Sequence, residues 1–148
     1  MRFTKMEGLG NDYIYLNCLS HRPPDPAGLA VRLSDRHFGV GADGLICVCP
    51  GRRGDFAMEM YNADGSRGKM CGNGIRCLGK YVYDKGLTRR TSLQVDTDSG
   101  LRALRLLPGP AGIGQVEVDM GEPSVFPQIS IPLMELTYSV MPVSMGNP

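Results

Sequence analysis

The residues best suited to chemistry lie in one short run, Met70-Cys71-Gly72-Asn73-Gly74-Ile75-Arg76-Cys77. A thiol followed by Gly-Asn-Gly at the opening of a helix sits where unpaired N–H groups and the positive end of the helix dipole point at it. Those conditions favour a thiolate, which can act as a base or a nucleophile. The glycines also let the backbone come close to an anionic group, and a substrate carboxylate can take the same N–H donors. Cys71 would equally serve as a small buried hydrophobe, the usual role of a free cysteine. Three amides stand in or beside glycine-rich turns: Asn11 in Gly8-Leu9-Gly10-Asn11-Asp12, Asn62 before Ala63-Asp64-Gly65, and Asn73. An amide donates and accepts without charge, which suits the two ends of a zwitterion, although Asn is also simply a turn former.

Other features carry less. Cys77 lies about 9 Å of helical rise beyond Cys71, so the two thiols are not side by side, and core packing is the expected role of Cys77. Cys47 and Cys49 alternate along a strand and share a face, which again reads as packing. No CxxC pair is present, and these thiols with His21 or His37 lack the spacing of a zinc site. Gly39-Val40-Gly41-Ala42-Asp43-Gly44 matches the letters of a dinucleotide-binding loop in an inverted context, with a helix before it and a strand after it; a tight turn feeding a strand is expected there. No Gly-x-Ser-x-Gly elbow supports a serine nucleophile.

Placing these residues requires a scaffold. Strands are expected at 2–7 and 13–18, joined by the turn 8–12, and at 45–48 and 56–61, joined by a hairpin at 50–54. Phe56, Met58 and Met60 then share one face. Further strands are expected at 92–96, 101–107, 116–120 and 136–143. Pro26 opens a short helix over 26–35. Ile75, Leu78, Gly79 and Val82 recur at helical spacing between 73 and 85, and Lys85-Gly86 is a stop. The wide apolar stripe of this second helix predicts that other elements surround it. The expected fold is α+β: seven or eight strands, mainly antiparallel, in a barrel-like sheet around one central helix.

With 148 residues, 42% apolar and 21% charged, the chain is expected to form one globular domain. Sixteen Lys and Arg against fifteen Asp and Glu leave a net charge of +1, which argues against nucleic acid as a partner. No apolar window reaches the length of a membrane span, and Arg2, Lys5 and Glu7 interrupt the start where an export signal needs an apolar core. Five cysteines, an odd number without a secretory signal, predict reduced thiols and a cytoplasmic setting.

Three blocks, Lys5-Met6-Glu7-Gly8-Leu9-Gly10-Asn11-Asp12, Phe38-Gly39-Val40-Gly41-Ala42-Asp43-Gly44-Leu45, and Asn62-Ala63-Asp64-Gly65-Ser66 running on through Met70 to Cys77, resemble in order and spacing the signature blocks of the diaminopimelate epimerase family. Related families of the same fold, the proline racemases and the isomerase-like phenazine-biosynthesis proteins, do not share this set of three. The resemblance implies an isomerase of lysine and cell-wall biosynthesis that uses neither pyridoxal phosphate nor a metal. It implies two similar domains, each a barrel-like sheet around a helix, with diaminopimelate between them. One cysteine from each domain flanks the α-carbon; one removes the α-proton as thiolate and the other protonates the opposite face, converting the L,L form to the meso form. Matched residue by residue, Cys71 is the catalytic cysteine of the first domain. Asn11, Asn62, Gly72 and Asn73 fall on substrate-binding positions, and Asn147 on a binding Asn at the domain crossing. Residues 1–143 are accordingly expected to form the N-terminal epimerase domain, and 144–148 to begin the crossing to a second domain that this sequence does not contain. Gly44 stands where some members place a Gln that touches substrate. A different expectation is a catalytically silent module that binds or self-assembles, pairing as a homodimer across the face that bears Asn11, Asn62, Cys71 and Asn73.

Overall fold

The chain is described by a computed structural model over residues 1–110 and 112–145. Its first two strands, β1 (Thr4–Gly8) and β2 (Asn11–Asn17), form an antiparallel hairpin paired out to Gly8 opposite Asn11. Only Leu9 and Gly10 make the turn, at φ 55° and 81°. Two consecutive left-handed residues match the twist of the flanking strands, which allows a two-residue loop. The expected turn over 8–12 is therefore shorter, and Asn11 is a strand residue whose alternation shares a face with Tyr13.

After β2 the chain forms α1 (Pro26–Ser34), with Pro26 in the first turn and the Asp25 carboxylate accepting from Gly28 N at 2.9 Å. It then enters β3 (Gly44–Pro50), which lies parallel to β2. Parallel neighbours need a crossover connection, and α1 supplies it. β4 (Phe56–Asn62) returns antiparallel beside β3, with β5 (Arg67–Gly68) folded against its end. A second crossover, α2 (Gly72–Asp84), leads to β6 (Ser92–Thr97), parallel to β4. β7 (Gly100–Gly109) and β8 (Gly112–Val118) complete a sheet ordered β1-β2-β3-β4-β6-β7-β8, with β5 attached to β4. The sheet is mainly antiparallel, with two parallel junctions, each spanned by one helix.

The period of two in the strands separates two cores. Tyr13, Tyr15, Ile46, Val48, Met58, Val95 and Leu106 face α2 and enclose its Ile75, Leu78 and Val82. Ile14, Leu16, Leu45, Cys47 and Cys49 face the other way, toward Ala30 of α1. Strand β3 is covered on both sides, so Gly44 through Cys49 are all buried and the strand reads as an unbroken apolar run. Phe56, Met58 and Met60 share the α2 face, as the alternation requires. Gly79 lets α2 lie close to the sheet: a Cβ there would come within 2.9 Å of Leu106 and 3.0 Å of Leu104 side-chain carbons.

Beyond Met120 the chain changes character. Among the described residues, β9 (Ser124–Val125), β10 (Ile129–Leu133), β11 (Leu136–Val140) and β12 (Val143–Ser144) form two small ladders, β10 with β11 and β9 with β12, apart from the main sheet. The single strand expected at 136–143 is broken after Val140, since Pro142 has no N–H to offer a ladder. Asn147 lies outside the described residues.

Candidate functional site

Cys71 is the N-cap of α2, with an extended backbone at ψ 117°. Its carbonyl accepts from Ile75 N at 2.8 Å, and its sulfur accepts from Gly74 N at 3.3 Å, the place an Asp or Ser oxygen usually fills. The first N–H groups of the helix, those of Gly72 and Asn73, have no carbonyl partner within it. Asn11 Nδ2, coming from β2, donates to the same sulfur at 3.5 Å. Cys71 is half-buried, whereas Cys18, Cys47, Cys49 and Cys77 are buried.

Two sets of contacts hold these groups in place. Next to Asn11, Asp12 N donates to the Asp43 carboxylate at 3.0 Å, and Asp43 N returns to the Asp12 carbonyl at 2.8 Å. Arg36 bridges both carboxylates, at 2.8 and 2.9 Å, and Lys5 Nζ lies 2.9 Å from Asp12. The Arg36 hydrogen bond, aided by Lys5, holds the Asp12 carboxyl well below the usual carboxylate range. The loop that follows α1 is thus tied to the start of β2. On the helix side, Tyr15 Oη donates to the Gly74 carbonyl at 2.9 Å and its ring stacks on Tyr81, with centroids 5.9 Å apart. The Cys77 thiol, a core residue, donates to the Glu7 carbonyl at 3.6 Å.

Of the residues expected at the site, Asn11, Cys71, Gly72 and Asn73 meet at the mouth of α2. Asn73 is engaged through its amide oxygen by Arg76 Nη2. Asn62 ends β4 opposite Gly44, and its amide donates to Ser66 Oγ at 2.9 Å. It closes its own turn, and among the described residues no hydrogen bond joins it to Cys71. A Cβ at Gly44 would stand 2.2 Å from the Tyr61 carbonyl oxygen and 2.7 Å from Tyr13 Cε1, so the backbone there has no room for a glutamine side chain.

A cleft of about 640 Å³ opens beside Asn73, lined also by Gly8, Leu9, Arg76, Val116 and Met120. A second groove of about 620 Å³, lined by Leu16, Cys18, Pro23 and Leu29, lies at the opposite end of β2 and has no part in this chemistry. Among the described residues no three His, Cys, Asp or Glu side chains are grouped to hold a metal ion, and no helix is long and apolar enough to cross a membrane.

Similarity to known proteins agrees with the three motif blocks. A sequence model described as diaminopimelate epimerase matches residues 3–126. The chain is 46% identical to a diaminopimelate epimerase of Acetivibrio thermocellus, an alignment covering 100% of this chain and 58% of the relative. It is 47% identical to one from Agathobacter rectalis, covering 99% of this chain and 54% of the relative. The chain therefore spans a little over half the length of these curated relatives. Among solved structures, a probable proline racemase from Agrobacterium radiobacter superposes with a TM-score of 0.71 at 14% identity, over 95% of this chain and 48% of the racemase. At that identity the likeness concerns the fold alone, an α+β arrangement of a curled sheet and its helices. The sheet around α2 and the match over residues 3–126 together lead to one conclusion: this chain belongs to the diaminopimelate epimerase family.

Proposed function

We propose that this chain is the N-terminal half of an amino-acid epimerase that inverts the α-carbon of L,L-diaminopimelate to the meso form without pyridoxal phosphate or a metal. The observation that carries the reading is the seat of Cys71: a half-buried thiol capping α2, with donors from Gly74 and Asn11 on its sulfur. Each of these donors holds a thiolate more strongly than a thiol. Cys71 as thiolate removes the α-proton, and the free N–H groups of Gly72 and Asn73 take the substrate carboxylate, onto which the developing negative charge spreads. Asn11, Asn62 and Asn73 orient the polar ends of the substrate, with Asn147 joining from the crossing. Inversion also needs a proton donor on the opposite face of the carbon, and a cysteine of a second domain supplies it. In this reading residues 1–143 are the N-terminal domain, its body followed by an arm, and 144–148 begin the crossing. The protein works in the cytoplasm.

One base can return a proton only to the face it came from. Incubated with L,L-diaminopimelate in D₂O, the 148-residue chain should exchange the α-hydrogen slowly without forming the meso isomer, and Cys71→Ala should abolish the exchange. Conversion to the meso form that survives Cys71→Ala would remove the two-cysteine reading.

A further inference from the structure

We propose that Arg76 is a positioning residue for Asn73: its guanidinium holds the amide oxygen and leaves only the Nδ2 hydrogens for a ligand, so that Asn73 donates to a carboxylate and has nothing to offer an ammonium. The inference rests on the reading of Asn73 as a residue that touches the substrate.

The geometry begins with helical spacing. Arg76 follows Asn73 on the same face of α2, one turn later, and side chains of a helix lean back toward its N-terminus. The guanidinium therefore lies beside the first turn: a Cβ on Gly72 would stand 3.7 Å from Arg76 Nη1. From there Arg76 Nη2 donates to Asn73 Oδ1. Gly8 confines Asn73 from another side. A Cβ on Gly8 would come within 3.4 Å of the Asn73 carbonyl oxygen and 3.7 Å of its Cβ, so the hairpin of β1 and β2 closes directly over this residue. Asn73 and Arg76 are both half-buried, and both line the cleft beside Gly8 and Met120.

Chemistry fixes which way the amide faces. A guanidinium has donors and no acceptor, so the amide atom turned to it is the oxygen. Nδ2 is the other end of the amide, and among the described residues it has no acceptor. A carboxylate can take its hydrogens, whereas an ammonium, itself only a donor, finds the one acceptor of this side chain occupied. Among the described residues Arg76 has no carboxylate partner, and α2 has no acidic residue in its first turn. A cation without a counter-ion near the positive end of a helix costs stability. The hold on Asn73 and the arrival of an anion both offset that cost.

Arg76→Met tests this, because it removes the donors and keeps the apolar stem. Backbone and side-chain N–H signals of the isotope-labelled 148-residue chain are followed by NMR, those of Asn73 Nδ2 being assigned by their loss in Asn73→Ala. Without ligand, Arg76→Met should shift the Asn73 Nδ2 signals, and Arg76→Lys, which keeps a donor, should shift them less. Pimelate, a dicarboxylate without amino groups, should move the same signals in the wild-type chain, and cadaverine, with ammonium groups alone, should leave them in place. In Arg76→Met the affinity for pimelate, read at the Gly72 N–H, should fall about 3- to 10-fold. With Asn73 already replaced by Ala, the same change should cost less than about 1.5-fold. Unmoved Nδ2 signals in Arg76→Met would overturn the proposal. So would an equal loss of affinity in both backgrounds, since the guanidinium would then attract the anion directly and not through Asn73. If pimelate moves neither the Gly72 nor the Asn73 signals of the wild-type chain, the reading of this mouth as a carboxylate site fails and the inference falls with it.

Discussion

The strands of residues 4–118 and those of 124–144 use similar residues to different ends. β3, with Leu45, Ile46, Cys47 and Val48, is buried on both faces between α1 and α2. β10, Ile129-Ser130-Ile131-Pro132-Leu133, alternates as a half-buried strand should, yet Ile129, Ile131 and Leu133 are 48%, 44% and 59% exposed. Both stretches form strands because β-branched and apolar residues suit an extended backbone. Only the first has helices to cover it. Alternation specifies that a strand has an apolar face, but not what that face will meet. The arm also lacks the charges that usually guard open sheet edges: from Pro123 to Met145 the one charged residue is Glu135. Most of the exposed large apolar side chains lie on this arm, with Met134 almost wholly exposed. Pairing of two copies therefore has its strongest apolar support there.

The contrast can be broken by matched substitutions. Ile75→Ala, in the fully buried stripe of α2, should lower unfolding stability by about 2–5 kcal/mol, whereas Ile131→Ala in β10 should change it by less than about 0.5 kcal/mol in a denaturant titration. Similar losses at both sites would mean that the arm is part of the cooperative core. A smaller effect belongs to the polar tie beside the site. Asp12→Asn removes a carboxylate held below its ordinary value of 3.8, so the wild-type advantage, about 1 kcal/mol, should be full at neutral pH. It should shrink as pH falls below that ordinary value, because the unfolded carboxylate then takes up a proton that the folded one, held by Arg36, still does not bind. A gap between the two proteins that stays constant from pH 7 to pH 2 would show that the Arg36 and Lys5 contacts contribute nothing through charge. The smallest effect on stability is expected from ending the chain after Met120. The unfolding midpoint should hardly move, while light scattering at micromolar concentration should show less association than for the whole chain. Unchanged association would place the contact on the body, at or near the Cys71 face.

Much of the site was legible because helix-start chemistry is local. The run Cys71-Gly72-Asn73-Gly74 declares a cap and a turn of free N–H groups before any tertiary contact exists, and Lys85-Gly86 marks the other end of the same helix. Asn11 is legible as a candidate, but glycine spacing puts it in a turn where the structure has it in β2. Leu9 at φ 55° is an unusual conformation for a leucine, and it let the hairpin close two residues earlier than glycine spacing suggested. Asn62 illustrates the limit of composition: its residue type fits a ligand contact as well as it fits the bond it makes to Ser66.

Periodicity by itself determined the central helix, the face shared by Phe56, Met58 and Met60, the packing roles of Cys47, Cys49 and Cys77, and the position of Cys71 at a helix start, because each depends on residues within a few places of one another. The parallel junctions, the second core under α1, the Arg36 bridge from Asp12 to Asp43, and the meeting of Asn11 and Cys71 at one sulfur were decided only when β2, β3 and α2 packed together. The Asp12–Asp43 and Asn11–Cys71 contacts join residues 31 and 60 positions apart, and a sequence pattern read over one or two turns of helix or strand says nothing of partners at that separation.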